Sequence, residues 1–330
     1  MVSIICPIYN EERYIENCIQ SVLKQDIPAD SWELLLIDGM STDNTRIIAQ
    51  PYINQYPNIR MIDNPKRTAP CAMNIGIRTA KGEYICRIDA HSLFPSNYIS
   101  TLLSYIEELP NAANVGGVCD TKPANDSKKA KAIAITCRHP LGVGNSTFRT
   151  RTISKPKKTD TVPYGFWRKE LFNIIGLFDE ELTRNQDDEF NARTIRHGYK
   201  IYLVPKLSVS YYSRDSILKT GRMFYQYGLF KPLVNHKIKR PATTRQFVPL
   251  FFVLGLIVGL PLTFLHPLFL LIYIASILQY LLLICCVGVR YRNAYLPLVF
   301  ATIHICYGWG YIEGMWKLLT KQSFQVDANR

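Results

Sequence analysis

No C-x-x-C pair occurs among the nine cysteines of this 330-residue chain, which argues against a zinc site. Their odd number and scattered positions argue against a disulfide framework, so reduced thiols in a cytosolic compartment are expected. The first strand-like run lacks G-x-G-x-x-G, with Pro7 and Tyr9 in its place, and G-x-x-x-x-G-K-[ST] is absent throughout; a nicotinamide dehydrogenase and a P-loop kinase are both disfavoured. The N-terminus runs directly into VSIICPIYNEE without a basic n-region and small-residue cleavage site, so no secretory signal is expected. Acidic residues number 26 against 39 basic ones, a formal net charge of +13. That sign suits nucleic acid, anionic lipid or a phosphorylated substrate and by itself chooses none of them.

The distribution of charge says more than its sum. Residues 247 to 289 contain no acidic or basic side chain except His266, which makes this the sharpest compositional boundary in the chain. Two apolar stretches, 247–265 and 268–289, have the roughly 20 residues a membrane-spanning helix needs. His266 and Pro267 break them apart, and Arg240, Arg245, Arg290 and Arg292 flank the outer ends, as expected of a hairpin with both ends in the cytosol. A third segment, about 294–316, carries His304 and Glu313 and either spans or lies in the interface; Gly308, Gly310 and Gly314 suit helix packing. A basic cluster before the hairpin (Lys237, Lys239, Arg240, Arg245) fits the cytosolic face of the cytoplasmic membrane. Another occupies 122 to 169, including Lys128, Lys129, Arg149 and Arg151, and the weak periodicity of 120 to 160 predicts a mobile loop or insertion near the site.

Upstream, strand-like and helix-like runs alternate. Residues 2 to 6, 33 to 38, 59 to 63 and 82 to 89 are short apolar runs, each followed by a polar loop and a helical period such as Tyr14, Ile15, Cys18, Ile19 and Val22. Residues 184 to 205 read as a helix followed by a strand, and 214 to 232 as a helix. The predicted class is α/β, a mostly parallel sheet with helices on both faces. The expected organisation is a cytosolic domain over 1–232, a basic juxtamembrane linker over 233–246 and a membrane region over 247–330.

Ligands of such folds bind at the carboxyl ends of the strands, and those positions are polar here. Pro7, Tyr9, Asn10 and Glu11 follow the first strand, Asp38 and Asp43 the second, and Asp89 and His91 the fourth. An enzyme using a nucleotide-sugar must hold a base and ribose, neutralise a diphosphate and deprotonate an acceptor hydroxyl. Asp38 can accept from base or ribose, Asp89 and His91 can share a divalent cation, and Asp187, Asp188 or Glu189 can act as general base.

In their order and spacing, VSIICPIYNEERYIENCIQSVLKQ, IDGMSTDNT, GEYICRIDAH and RNQDDEFNAR resemble glycosyltransferase family 2, whose fold is GT-A, over roughly residues 1 to 230. Within that family the D-A-H triplet and the apolar tail look like the succinoglycan-biosynthesis ExoA-like group. The resemblance implies a donor site at Pro7, Tyr9, Glu11, Asp38 and Asp89, and Asp187 as the catalytic base. Asp188, Arg149 and Arg193 are candidates for acceptor or phosphate contacts. The metal position is Asp89 with His91, where the family's D-x-D has a second Asp; imidazole suits Mn²⁺ better than Mg²⁺. Gln186 likewise replaces the usual Glu before the base. The implied reaction is inverting transfer of one sugar, with a UDP-sugar as first expectation, to a polyprenyl-diphosphate-linked acceptor at the bilayer surface, with no nucleic acid partner. Direct transfer to polyprenyl phosphate, a processive synthase and a nucleotide-binding scaffold are the alternatives; Gln226 to Phe230 does not match the processive Q-x-x-R-W.

Overall fold

A computed structural model describes residues 1–144, 146–150 and 153–324. Asn145 of the LGVGNSTFR segment and Arg151 of the basic cluster lie outside the described residues. Through the first half the elements are β1 (Val2–Ile8), α1 (Ile15–Leu23), β2 (Trp32–Asp38), α2 (Thr45–Gln55), β3 (Ile59–Asp63), α3 (Ala69–Thr79), β4 (Tyr84–Arg87), β5 (Ser92–Leu93), α4 (Tyr98–Glu108) and β6 (Ala112–Lys122). Three helices follow, α5 (Lys128–Thr136), α6 (Pro140–Val143) and α7 (Thr147–Thr150), then β7 (Lys157–Thr159), β8 (Phe166–Arg168), α8 (Leu171–Ile175), α9 (Gln186–Arg196) and β9 (Lys200–Tyr212). The chain continues as α10 (Ile217–Ile238), α11 (Phe247–Leu262), α12 (Pro267–Arg290) and α13 (Leu296–Leu319).

By contact density there are two units, Met1–Asp120 with Arg151–Tyr211, and Thr121–Thr150 with Tyr212–Arg330. Composition places the break at 232 instead. It is blind to the way 121–150 packs with the C-terminal helices, and the stretch assigned to a linker from 233 begins inside α10.

The first unit is built on one sheet in the order β3-β2-β1-β4-β8-β6-β9-β5, with β7 on β9. The first four strands are parallel, and antiparallel pairing begins where β8 meets β4. Side chains alternate across a strand, so the two faces have separate cores. Ile4, Cys6, Leu34 and Leu36 pack with α1 and α4 on one face, and Ile5, Leu35 and Ile37 with α3, α8 and Phe190 on the other. Because both faces are covered, every residue of β2 is buried, and each leucine there stabilises the fold by about 1.5–3 kcal/mol. The same stacking brings the carboxyl ends of β1, β2 and β4 to one edge of the sheet.

Over 121 to 150, the second unit corrects the expectation of a mobile loop or insertion at 120 to 160. Ser127 caps α5 by accepting from the Ala130 amide (3.1 Å), and Ala132, Ile133 and Cys137 are buried in a cluster with Phe224, Val299, Phe300 and Ile303. The Lys-Ala alternation hid this helix, because its buried face consists largely of alanines. Helix α13 lies against α10 at backbone distance: a Cβ on Gly310 would meet the Tyr225 carbonyl, and one on Gly314 the Leu229 carbonyl. Two helices, Thr244–Leu262 and Pro267–Arg290, are long and apolar enough to cross a membrane. Their outward side chains are apolar as well, with Phe251 66% and Leu282 65% exposed. Helix α13 is more enclosed than these two, with Leu296, Val299, Phe300 and Ile303 fully buried.

Candidate active site

Beyond β1, Asn10 turns the chain in the left-handed region (φ +55°), which asparagine tolerates better than most residues. Its amide donates to Ser41 Oγ (2.9 Å) and its Oδ1 accepts from the Thr42 amide (2.8 Å), so the loops after β1 and β2 are tied together. Glu11, 4% exposed, donates its amide to Thr45 Oγ1 (2.7 Å). Asp43 completes the knot by accepting from the Glu12 amide (3.2 Å) and from the amide and hydroxyl of Thr45 (3.0 and 2.5 Å). Burial works against the Asp43 charge, but these donors outweigh it and hold the carboxyl below its usual range.

Asp38, at the end of β2, is fully buried. Its carboxylate accepts from the Ser41 hydroxyl (2.5 Å), the Ser41 amide and Arg46 Nε (2.5 Å), and Arg46 also pairs with Asp63. The carboxylate expected to meet a base or ribose is thus turned onto its own loop. What Asp38 offers to the site directly is the position of Ser41 and Arg46. Pro7 lies within β1 opposite Ile37, and the Arg67 guanidinium stands 5.9 Å from the Tyr9 ring.

At the end of β4, Arg87 reaches two residues along the chain to Asp89, Nε to Oδ1 at 3.1 Å and Nη2 to Oδ2 at 3.4 Å. His91 Nδ1 is 3.7 Å from Glu11 Oε1, and its ring meets Tyr211 edge-on. Burial opposes the charge of Arg87, yet Asp89 and then Asp187 overcome it and raise its pKa. The guanidinium is thus hydrogen-bonded to Asp89 and also feels the charge of Asp187. Asp187 itself is exposed in the first turn of α9, alongside Asp188, where the helix dipole favours negative charge.

The placement of α9 follows from its buried face. Asn191 donates to Thr161 Oγ1 (2.9 Å) and accepts from Asn114 (3.0 Å), while Phe190 stacks on Phe172 and Phe178. Arg193 grips Glu189 through Nε (2.6 Å) and Nη2 (2.9 Å) and donates to the carbonyls of Ile175 and Leu177. Four hydrogen bonds occupy a five-donor side chain and hold α9 in place. Arg149, in the second unit, lies 5.2 Å from the Phe148 ring.

Two further residues escaped the sequence reading. Arg87 carries a signal, because positions i and i+2 of a strand share a face with Asp89. Tyr164 gives none beyond its place between Pro163 and Gly165. It holds φ +62°, a conformation that costs a tyrosine on the order of 1–3 kcal/mol, and its hydroxyl lies 2.6 Å from Ser92 Oγ. Burial first, and Cys119 and Asp89 beside it, push the Tyr164 phenol well above its ordinary pKa, so it remains a protonated donor.

Among the described residues no three His, Cys, Asp or Glu side chains converge to cage a metal ion. The donor set fits a different arrangement. Asp89 and His91 supply one carboxylate and one imidazole, and a hard cation of this kind commonly takes its remaining ligands from substrate phosphates and water. Both Asp89 oxygens face the Arg87 guanidinium, Oδ1 accepting from Nε and Oδ2 from Nη2.

The sequence profile described as Glycosyl transferase family 2 matches residues 3–173. A Methanococcus voltae protein, dolichyl N-acetyl-alpha-D-glucosaminyl phosphate 3-beta-D-2,3-diacetamido-2,3-dideoxy-beta-D-glucuronosyltransferase, is 34% identical over 72% of this chain and 74% of its own. The succinoglycan biosynthesis protein ExoA of Rhizobium meliloti is 29% identical over 75% of this chain and 74% of its own. Among solved structures, the mannosyltransferase PcManGT of Pyrobaculum calidifontis, in complex with GDP-Man and Mn²⁺, superposes with a TM-score of 0.62 at 17% identity, covering 96% of this chain and 87% of that one.

Proposed function

The chain belongs to glycosyl transferase family 2 and is a glycosyltransferase of GT-A fold, and on that premise we propose that it moves a single sugar, with inversion, from a nucleotide-sugar to a lipid-linked saccharide at the cytosolic face of the cytoplasmic membrane. The observation that carries this reading is the shared Arg87: its charge answers to Asp89 and to Asp187, the metal and base positions implied by the family pattern.

In this mechanism Asp187 accepts the proton of the acceptor hydroxyl as its oxygen attacks the anomeric carbon. The bond to the donor phosphate breaks, and the nucleoside diphosphate leaves with the electron pair. Asp89 and His91 would hold a divalent cation, and that cation would supply positive charge to offset the leaving diphosphate. Pro7, Tyr9 and Glu11 line the donor side, and Asp38 shapes it by holding Ser41 and Arg46. Arg149 and Asp188 are the acceptor-side contacts.

The acceptor class is supported by the Methanococcus relative, whose name describes addition to a sugar already carried on dolichyl phosphate, and by the exopolysaccharide role in the ExoA name. Two helices long and apolar enough to cross a membrane support an acceptor that is itself held in the bilayer. A UDP-sugar is the first donor by family resemblance, and the GDP-Man and Mn²⁺ of the structural neighbour make GDP-sugars and Mn²⁺ necessary arms of the assay. Membranes containing the protein, offered UDP-, GDP- and TDP-sugars with lipid-linked saccharide, should release nucleoside diphosphate from one donor class, and a chelator should stop the release. Donor binding without release under all arms contradicts the proposal and identifies a nucleotide-binding scaffold.

A further inference from the structure

Residues 121 to 150 form a strap that the helical unit holds at three points. The Asn293 side chain donates to the Lys128 carbonyl (2.7 Å), and the His139 ring meets Tyr291 and Phe300 edge-on at 6.0 and 5.6 Å. The third point is Gly144, whose backbone (φ +61°, ψ −150°) is open only to glycine; Arg245 lies across it, with Cδ 3.1 Å from where a Cβ would stand. Tyr291 and Asn293 follow α12, and Arg245 immediately precedes α11. The strap therefore runs along the end of the apolar hairpin where α11 begins and α12 finishes.

That end is basic. Lys128, Lys129 and Arg138 on the strap and Arg290 and Arg292 on the turn are all exposed. Arg290 is close enough to His139 to add its repulsion to burial in depressing the His139 pKa. Opposing charge is scarce: Asp126 is the single acidic residue between 121 and 150, and none occurs between Asp215 and Glu313. Directly beyond the basic face, Val289 is 78% exposed and Tyr291 and Tyr295 about two-fifths exposed, an apolar flank with tyrosines at its boundary.

We propose that this basic face binds the phosphate headgroups of anionic bilayer lipids, seating the hairpin end against a negatively charged membrane surface. Charge complementarity supplies the attraction, and continuity with α11 and α12 supplies the occupant: the apolar helices carry the same end to the hydrocarbon boundary, where headgroup phosphates lie. The inference rests on the hairpin being in the bilayer and is independent of the transfer reaction.

The test uses the full chain in neutral detergent, mixed with equal amounts of phosphatidylglycerol and phosphatidylcholine at low salt, with retained lipid counted by native mass spectrometry. Phosphatidylglycerol should be retained in preference. The K128Q/K129Q/R138Q/R290Q/R292Q variant should lose at least about fivefold of that preference, the effect of one basic residue near a membrane surface. The charge-preserving set K128R/K129R/R138K/R290K/R292K should keep it, which separates lost charge from lost folding. Neutralising Lys24, Lys81 and Arg196 in the sheet unit should leave it unchanged. Equal retention of the two lipids by the unaltered protein, or an undiminished preference in the glutamine variant, overturns the proposal.

Discussion

In the sheet unit the buried positions run without a break along short strands such as β2, and the strand ends carry Asp, Asn, Glu and His; in the helical unit aliphatic and aromatic side chains are buried between helices that meet at glycines, and the hairpin helices keep apolar outer faces. One unit thus concentrates its polar chemistry at an edge, and the other concentrates close backbone approach in its interior. The sheet tolerates little change in core volume but accepts substitution at its strand ends without collapse. The helical unit has the opposite sensitivity, because its helices pack through residues that have no side chain to yield.

This contrast can be broken at several places. The largest effect is expected from Asp89→Ala, which should reduce metal-dependent turnover by about 10³ and, by unpairing the enclosed Arg87 guanidinium, also lower the thermal midpoint; electrostatic groups at a transferring centre carry effects of this order. Initial-rate assays with and without Mn²⁺ check it, and retained metal activation removes Asp89 from the cation site. Next comes Leu36→Ala in β2, fully buried, which should destabilise the sheet unit by about 2–5 kcal/mol, read by denaturant unfolding. Gly310→Leu should cost about 1–3 kcal/mol or more by driving a side chain into the Tyr225 carbonyl, and should reduce the detergent-extracted folded yield.

The smallest expected effect concerns pH. Lys66 (2.7 Å), Asn74 and Cys71 hold the Glu180 carboxyl down at about 2 from the ordinary 4.5. A depressed carboxyl contributes stability that is complete above its unfolded pKa and disappears as pH falls through its folded one, here between about 4.5 and 2. Because Lys66 is 72% exposed, solvent screening keeps the pair's contribution small. Acid titration of the unfolding midpoint should show a shallower slope in Glu180→Gln.

Much of the first unit was legible because its strands and helices have clean periods. The helical periods expected after the third and fourth apolar runs appear as α3 and α4, and the helix-then-strand reading of 184 to 205 appears as α9 and β9. The glycines of 308 to 314 pack helices, as their spacing suggested. The antiparallel half of the sheet was less visible: β8 is three residues long, and β6 contains two glycines that dilute its strand character. Helix α5 was hidden by a Lys-Ala composition whose burial depends on partners more than 150 residues away. At the site, acidic strand ends could be listed from order alone, but their partners could not. That Asp38 faces Ser41 and Arg46, or that Arg193 holds α9, is decided by side chains separated in sequence and joined only by the fold.

The most direct measurement is single-turnover transfer by Asp187→Asn alongside donor affinity. The variant keeps the size and much of the polarity of the side chain but cannot accept the hydroxyl proton. Loss of transfer by about 10²–10⁴ with donor dissociation constant nearly unchanged is the predicted result, the range general-base catalysis contributes. Unchanged transfer in that variant contradicts the assignment of Asp187 as the base.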